Sequence, residues 1–339
     1  MLRVEELAAI AALAGLAICA YAAAGEPASP APAGPAAGPV PAILDTDIGD
    51  DIDDTWALSL LLKSSEVDLK LVVGDNGNAV YRARLIAKML QAAGRTDVAV
   101  GIGLRPEDKG GRQAAWIQGY DLKSYPGTVH TDGVQALIDT IMNSPQPVTL
   151  IAIGPVQNIA AALAREPRIA RKARFVGMHG SVRKGYGGKP TIEAEYNVKV
   201  DAKACRACLE APWDATITPL DTCGLVHLRG EKYAAVRDSK DPVARALIEN
   251  YRAWTAAGKQ GDKADRESST LFDTVAAYLG FSEALLKMEK LGIRVDDKGM
   301  TLIDPAAKVV NVATEWKDMP AFEDLMVKRL TGPTVPARP

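Results

Sequence analysis

Two hydrophobic periods take turns along this chain. Short apolar runs rich in β-branched residues, "PAIL" (41–44), "LKLVVG" (69–74), "VAVGIG" (98–103), "VTLIAIG" (148–154), "RFVGM" (174–178) and "ATITPL" (215–220), read as buried strands. Between them lie amphipathic stretches at 54–62, 80–93, 133–142, 156–164 and 202–211, which read as helices. Strands alternating with helices of this length predict βαβ units. The expected fold class is therefore α/β, with a Rossmann-like, mostly parallel central sheet carrying helices on both faces. A polar, helix-prone excursion spans 230–269 and leads into "TLFDTVAAYL" (270–279). In open parallel sheets ligands collect at the carboxyl ends of the strands. The aspartate run 45–54, "GDNGN" (74–78), "IGPVQN" (153–158) and "MHGSV" (178–182) all fall at such ends.

Composition refines this only at the amino terminus. The 339 residues are 47% hydrophobic and 24% charged with a formal net charge of −2, an ordinary globular balance without the basic footprint of a nucleic-acid binder. Leu7 to Ala24 carry no charge and end in small residues suited to cleavage after Ala22 or Ala24, so residues 1–24 are expected to be a signal peptide. A retained membrane tether is the competing reading. Residues 25–40, "GEPASPAPAGPAAGPV", form a Pro/Ala-rich linker, and the folded domain is expected over 41–330. The protein is thus expected to be exported, periplasmic or extracellular. Cys205 and Cys208 form a C-x-x-C inside a helical pattern without partner histidines, which argues for buried small hydrophobes rather than zinc; a bond to Cys223 is open in an oxidising compartment.

Within "ILDTDIGDDIDDTWALSL" (43–60), six aspartates occupy ten consecutive positions at a strand-to-helix corner. A solvated acidic run does not usually follow a buried strand and open an apolar helix. Carboxylates this close repel one another unless they share a cation, and a hard divalent ion such as Ca²⁺ collects six to eight oxygen ligands. An EF-hand loop starting at Asp45 fails, because Gly49 falls one position early and Trp56 stands where the bidentate glutamate belongs. A D-x-D phosphotransferase or phosphatase fits Asp45 and Asp47 but leaves the other four acids unexplained.

The run resembles the amino-terminal signature of the inosine–uridine-preferring nucleoside hydrolases, D-x-D-P-G-x-D-D-x-x-A. Asp45, Asp47 and Gly49 match directly; Asp53, Asp54 and Ala57 match after a two-residue insertion, Asp50–Asp51. Further segments follow in the family's order: Gly77–Asn78, "VHTDG" (129–133), "IGPVQNIAAAL" (153–163), "VGMHGS" (176–181), "AEYNVKVDAKA" (194–204) and "FDTVAAYL" (272–279). The resemblance covers roughly Ile43 to Leu279.

That resemblance implies the nucleoside hydrolase fold and Ca²⁺-dependent hydrolysis of a ribonucleoside to ribose and free base. Water bound at the ion would attack through an oxocarbenium-like state. Asp47, Asp54 and Asp273 would be carboxylate ligands, Gln157 would offer its backbone carbonyl, and Asp47 would also be general base. Asp53, Asn78, Glu195 and Asn197 correspond to ribose-contacting positions. Many members have histidine before the last aspartate; here that position is Phe272, so His130 is the expected catalytic alternative. The partner would be a nucleoside or other riboside, not nucleic acid, and the family implies a homo-oligomer, a dimer or tetramer. Trp116, Tyr186, Tyr251 and Trp254 are candidates to stack on a base, and "KGYGG" (184–188) is a candidate lid. A catalytically weak riboside-binding protein is the alternative that Phe272 suggests.

Overall fold

Strand β1 (Val40–Thr46) sends alternate side chains to opposite faces, and both faces are apolar: Ala42 and Leu44 enter one core, Ile43 the other. A strand buried on both faces belongs in the middle of a parallel sheet. The structure, a computed structural model, describes residues 38–337. The expected signal peptide (1–24) and residues 25–37 of the expected linker lie outside the described residues.

The strands following β1 are β2 (Val67–Gly74), β3 (Ala99–Gly101), β4 (Val129–His130), β5 (Val148–Ala152), β6 (Ala173–Met178), β7 (Ala215–Thr218), β8 (Leu286–Val295), β9 (Thr301–Ile303) and β10 (Val309–Trp316). Their order in the sheet is β4-β3-β2-β1-β5-β6-β7-β10-β8-β9. From β4 to β10 all pairings are parallel, while β10–β8 and β8–β9 are antiparallel. The sheet is therefore mostly parallel, as expected, with an antiparallel extension at one edge. Chain order reverses between β1 and β5, so a crevice opens at their carboxyl ends.

One face is covered by α1 (Asp53–Leu62) and α2 (Ala79–Ala92), which share their core with residues of 233–236, 243–254, 275–279 and 322–330. The other is covered by α3 (Gly133–Asn143), α4 (Gln157–Arg165) and α6 (Ala202–Glu210), with the short α5 (Tyr196–Val200) before the last. The excursion forms α7 (Gly230–Arg237), α8 (Pro242–Ala257) and α9 (Lys263–Arg266); α10 (Phe272–Leu279) and α11 (Met319–Thr331) complete the helices. Cys205 and Cys208 sit in one core and Cys223 in the other, and all three are buried free thiols. The sheet between them rules out the bond left open by the sequence.

Candidate active site

The crevice between β1 and β5 leads into a cavity lined by seven carboxylates, among them Asp47, Asp53, Asp54, Glu195 and Asp273, together with Asn197, Phe272, Tyr186 and Arg112. Its carboxylates come from three chain segments: the loop after β1 running into α1, the start of α5 and the start of α10. Asp53 and Asp54 open α1, where the positive end of the helix favours acid. Asp273 does the same in α10, and its N–H donates to Asp53 Oδ2 at 3.3 Å. Asp53, Asp54 and Asp273 are all buried, and each offers a carboxylate oxygen within 4.8 Å of the others.

Burial first, and then neighbouring carboxylates, raise these groups above the ordinary carboxylate range, at Asp47 against the opposing charge of Arg82. Asp53, Asp54 and Asp273 are raised well above it, and Asp47 from 3.8 to about 7. Three buried acids that disfavour one another's charge, with no cationic side chain bonded to them, are a donor set completed by a hard cation. The residues present therefore fit the metal that the acidic run implied. The tight group contains Asp53, expected at the ribose, rather than Asp47. Asp47 lies in the same cavity, close enough that its charge acts on both Asp54 and Asp273.

The acids are held in place by groups beneath them. Thr46 donates its hydroxyl to Asp54 Oδ1 and accepts from the N–H of Ile48 at 3.1 Å. Arg82 of α2, only 2% exposed, donates to the carbonyls of Asp47, Ile48 and Gly77 and to the Asp50 carboxylate at 2.8 Å. The inserted Asp50–Asp51 pair, exposed in its side chains, is pinned through its backbone. Trp254 Nε1 donates to the Asp50 carbonyl at 3.0 Å and Gln113 Nε2 to that of Asp51 at 2.8 Å. Gly49, at φ +115°, lets this turn lie against Tyr81; a Cβ there would stand 2.5 Å from the tyrosine ring.

Below Asp47 lies a second acidic pair. Asp45 is fully buried, accepts from Asn158 Nδ2 at 2.9 Å, and is pushed well above the usual range by burial and by facing Asp75. Asp75 accepts from the N–H groups of Gln157 (3.2 Å) and Asn158 (3.3 Å), which Val156 presents by adopting a left-handed conformation at φ 59°. A residue this enclosed is no nucleophile. The D-x-D phosphotransferase reading of Asp45 and Asp47 is corrected on that ground.

Glu195 and Asn197 reach the cavity from α5. Glu195 accepts from the N–H groups of Gly180 (3.0 Å), Asn197 (2.8 Å) and Val198 (3.3 Å), yet burial still raises it from 4.5 to about 7. Asn197 donates its amide to the carbonyls of Ile153 (3.2 Å) and Met178 (3.1 Å) at the ends of β5 and β6. Gln157 stands at the start of α4 beyond β5, its side chain tied to Arg105 and Asp201. Its side chain is thus engaged elsewhere, and it is not among the residues lining the cavity.

Besides Gln157, two more expected residues are not brought into the cavity. Asn78 turns its amide to Gly110 and Lys109, at 3.0 and 2.8 Å. The asparagine facing Asp47 is Asn76, with Nδ2 3.5 Å from Asp47 Oδ2. His130 ends β4, the edge strand; three strand spacings put it about 14 Å from β1. Its expected catalytic role is corrected on that geometry. His179 is buried, bonded to the Gly154 carbonyl at 3.0 Å and lowered to about 4 by burial, so it is neutral at ordinary pH. Of the candidate stacking aromatics, Tyr186 lines the cavity, edge-on to Phe272 at 6.0 Å; Trp116 and Tyr251 pack in the core, and Trp254 lies under Arg112.

A family model for inosine-uridine preferring nucleoside hydrolase matches residues 42–324. The chain belongs to that family. It is 28% identical over 311 residues to a pyrimidine-specific ribonucleoside hydrolase RihA of Citrobacter koseri, covering 86% of this chain and 98% of that one. It is 35% identical over 287 residues to the inosine-uridine preferring nucleoside hydrolase of Leishmania major, covering 78% and 88%. Among solved structures, a plant nucleoside hydrolase, the PpNRh1 enzyme, superposes with a TM-score of 0.71 at 23% identity over 87% of this chain and all of that one. A purine-preferring ribonucleoside hydrolase from Gardnerella vaginalis gives 0.70 at 23% identity, over 86% and 98%. These likenesses show the nucleoside hydrolase fold. Members of the family use a metal ion, and the buried acidic group is where this chain would hold it.

Proposed function

We propose that the protein hydrolyses the N-glycosidic bond of a ribonucleoside, releasing ribose and free base, with Ca²⁺ held by Asp53, Asp54, Asp273 and Asp47 and by the carbonyl of Gln157. The carrying observation is the convergence of three mutually repelling buried carboxylates with Glu195 and Asn197 in one cavity. When bound, the ion supplies a Lewis acid that acidifies water and takes hydroxyl oxygens of the sugar. Asp47, poised near neutrality by burial, accepts the proton of the attacking water. The remaining carboxylates face the positive charge that develops on the sugar ring as the C1′–N bond lengthens. Asn76, Glu195 and Asn197 hold the ribose hydroxyls, and Tyr186 and Phe272 give the base an apolar wall.

Export beyond a membrane and assembly into dimers or tetramers belong to the same proposal. They are tested by fractionation of the producing cells and by the solution mass of the mature chain. The activity is tested by incubating purified, calcium-loaded protein with purine and pyrimidine ribonucleosides and scoring free base and reducing sugar. Asp47→Ala should abolish turnover; near-normal turnover in that variant refutes the assigned base. A second reading, riboside binding without chemistry, is favoured by Phe272 alone. It predicts nucleoside-dependent thermal stabilisation of the wild type with no product.

A further inference from the structure

Arg112 is the only cationic side chain among the residues lining the cavity, against seven carboxylates. It lies in the loop between β3 and β4, and the structure fixes it firmly. Its guanidinium carbon stands 3.5 Å from the centroid of the Trp254 ring. The next residue, Gln113, is bonded through its N–H to Tyr81 (3.0 Å), through Nε2 to the Asp51 carbonyl, and through Oε1 to Asn250 (2.9 Å). Gly258, which caps α8, leaves the space the guanidinium occupies; a Cβ there would stand 2.0 Å from Nη2. The carboxyl end of α8 also favours a cation.

Despite this placement Nε and Nη2 are buried beside Gly258 without an acceptor, and the lining carboxylate that feels the guanidinium's charge is the exposed Asp51. A buried donor left unsatisfied is costly, and in a cavity wall it signals a missing acceptor. The reaction provides one. Breaking the C1′–N bond sends its electron pair onto the base, so negative charge grows on the ring nitrogens and carbonyl oxygens of the aglycone. Phe272 has no proton to give. No imidazole lines the cavity: His179 is buried elsewhere, and His130 and His227 lie outside it. Tyr186 is raised by burial, and its hydroxyl accepts from the Tyr196 N–H at 2.9 Å, which makes it a poor acid.

We propose that Arg112 is a catalytic residue of the hydrolase reaction proposed above, donating to the departing base and stabilising it as an anion. Arginine stays protonated and does not transfer its proton. The balance is therefore as follows: C1′–N breaks with its pair on the base, water adds its oxygen to C1′, and the water's second proton passes through Asp47 to solvent, from which the base anion is protonated. The consequence is a specificity. Removal of Arg112 costs more for aglycones that leave as anions and carry a carbonyl acceptor than for those whose departure is helped by direct protonation.

The test compares a ribonucleoside with p-nitrophenyl riboside, whose leaving group departs without assistance. In calcium-loaded protein, Arg112→Gln should lower kcat on uridine or inosine by roughly 10²- to 10³-fold, as removal of a single oxyanion donor does. It should change kcat on the p-nitrophenyl riboside by less than about threefold. Arg112→Lys should recover part of the loss, because charge is retained without the planar fork. Equal losses on both substrates, or no loss on either, overturn the role of Arg112 while leaving the hydrolase reading intact. A selective loss in Tyr186→Phe and none in Arg112→Gln assigns the role to Tyr186 instead. A wild type inactive on both compounds overturns the hydrolase reading itself, and this proposal with it.

Discussion

Without a cation in the cavity, the stability of this protein should fall as pH rises, the reverse of ordinary salt-bridged surface carboxylates. Asp47 is raised from 3.8 to about 7, chiefly by burial, and Glu195 from 4.5 to about 7 by the same cause. A group whose pKa is higher folded than unfolded makes the native state bind the extra proton. Its contribution is whole below the unfolded value and is lost as pH climbs through the folded one. With about 1.4 kcal/mol per unit, each of the two groups withdraws about 2 kcal/mol between about pH 5.5 and pH 8, or about 4 kcal/mol together. A fold of about 300 residues unfolds with an entropy of about 2.1 cal/mol/K per residue, so Tm should drop by about 6 °C over that range. Asp53, Asp54 and Asp273, also raised, add to the fall with the same sign.

Calcium-loaded protein should behave differently, because a neighbouring cation restores the charged form of Asp47 and its neighbours. Only the Glu195 contribution then remains, about 2 kcal/mol or about 3 °C. Calorimetric or fluorescence melts of EDTA-treated and calcium-saturated samples across the range check this: the two curves should separate progressively as pH rises. Chelated protein whose Tm is flat or rises from about pH 5.5 to pH 8 would refute the claim that buried, uncompensated carboxylates dominate this site.

Four further outcomes follow from the same geometry. Asp47→Asn, which keeps the shape and removes the proton acceptor, should lower kcat by roughly 10²- to 10⁴-fold in steady-state assays of base release. Asp273→Asn should reduce bound calcium to below one ion per several chains by elemental analysis after dialysis, since it removes one of three oxygens grouped within 4.8 Å. Arg82→Met should cost about 3–5 kcal/mol in urea unfolding, because it abandons the Asp50 carboxylate and the carbonyls of Asp47, Ile48, Asn76 and Gly77. Dithiothreitol should leave the melting temperature unchanged, because Cys205 and Cys208 are separated from Cys223 by the sheet; a reductant-dependent shift would contradict the buried free thiols.

Much of this architecture is legible in residue order. The doubly buried strand "PAIL" and its successors gave the parallel half of the sheet, since a run apolar at every position has no solvent face to report. Helical spans were close too: α3, expected over 133–142, is Gly133–Asn143, with Asp132 found as its cap. The antiparallel extension was not visible: "LKMEKLGIRV" puts charge at a half-buried edge, where alternation fades. At the site, what the sequence hides is direction. "GDNGN" offers two asparagines, both in left-handed conformation, and only the fold decides that Asn76 faces Asp47 while Asn78 faces Gly110. Arg82 looks like one more polar position on an amphipathic helix. Its burial depends on the loop of another strand lying across it, which no local pattern encodes.

The same hidden contacts explain how six aspartates can be gathered at one corner of a folded chain. Left alone, the carboxylates at the start of α1 repel one another and pay for lost hydration, so the loop before them would swing open. Here the backbone is gripped more than the carboxylates, of which Asp50 is ion-paired to Arg82. Arg82 takes the carbonyls of Asp47 and Ile48, Trp254 and Gln113 take those of the inserted pair, and Tyr81 donates to Gly49 at 3.3 Å. These donors leave the oxygens of Asp53, Asp54 and Asp273 free of cationic partners inside the cavity. A loop braced through its carbonyls keeps its acids pointed at an ion and a substrate instead of neutralising them with the protein's own cations. That division between bracing groups and reactive groups lets the site be both electrostatically strained and well ordered.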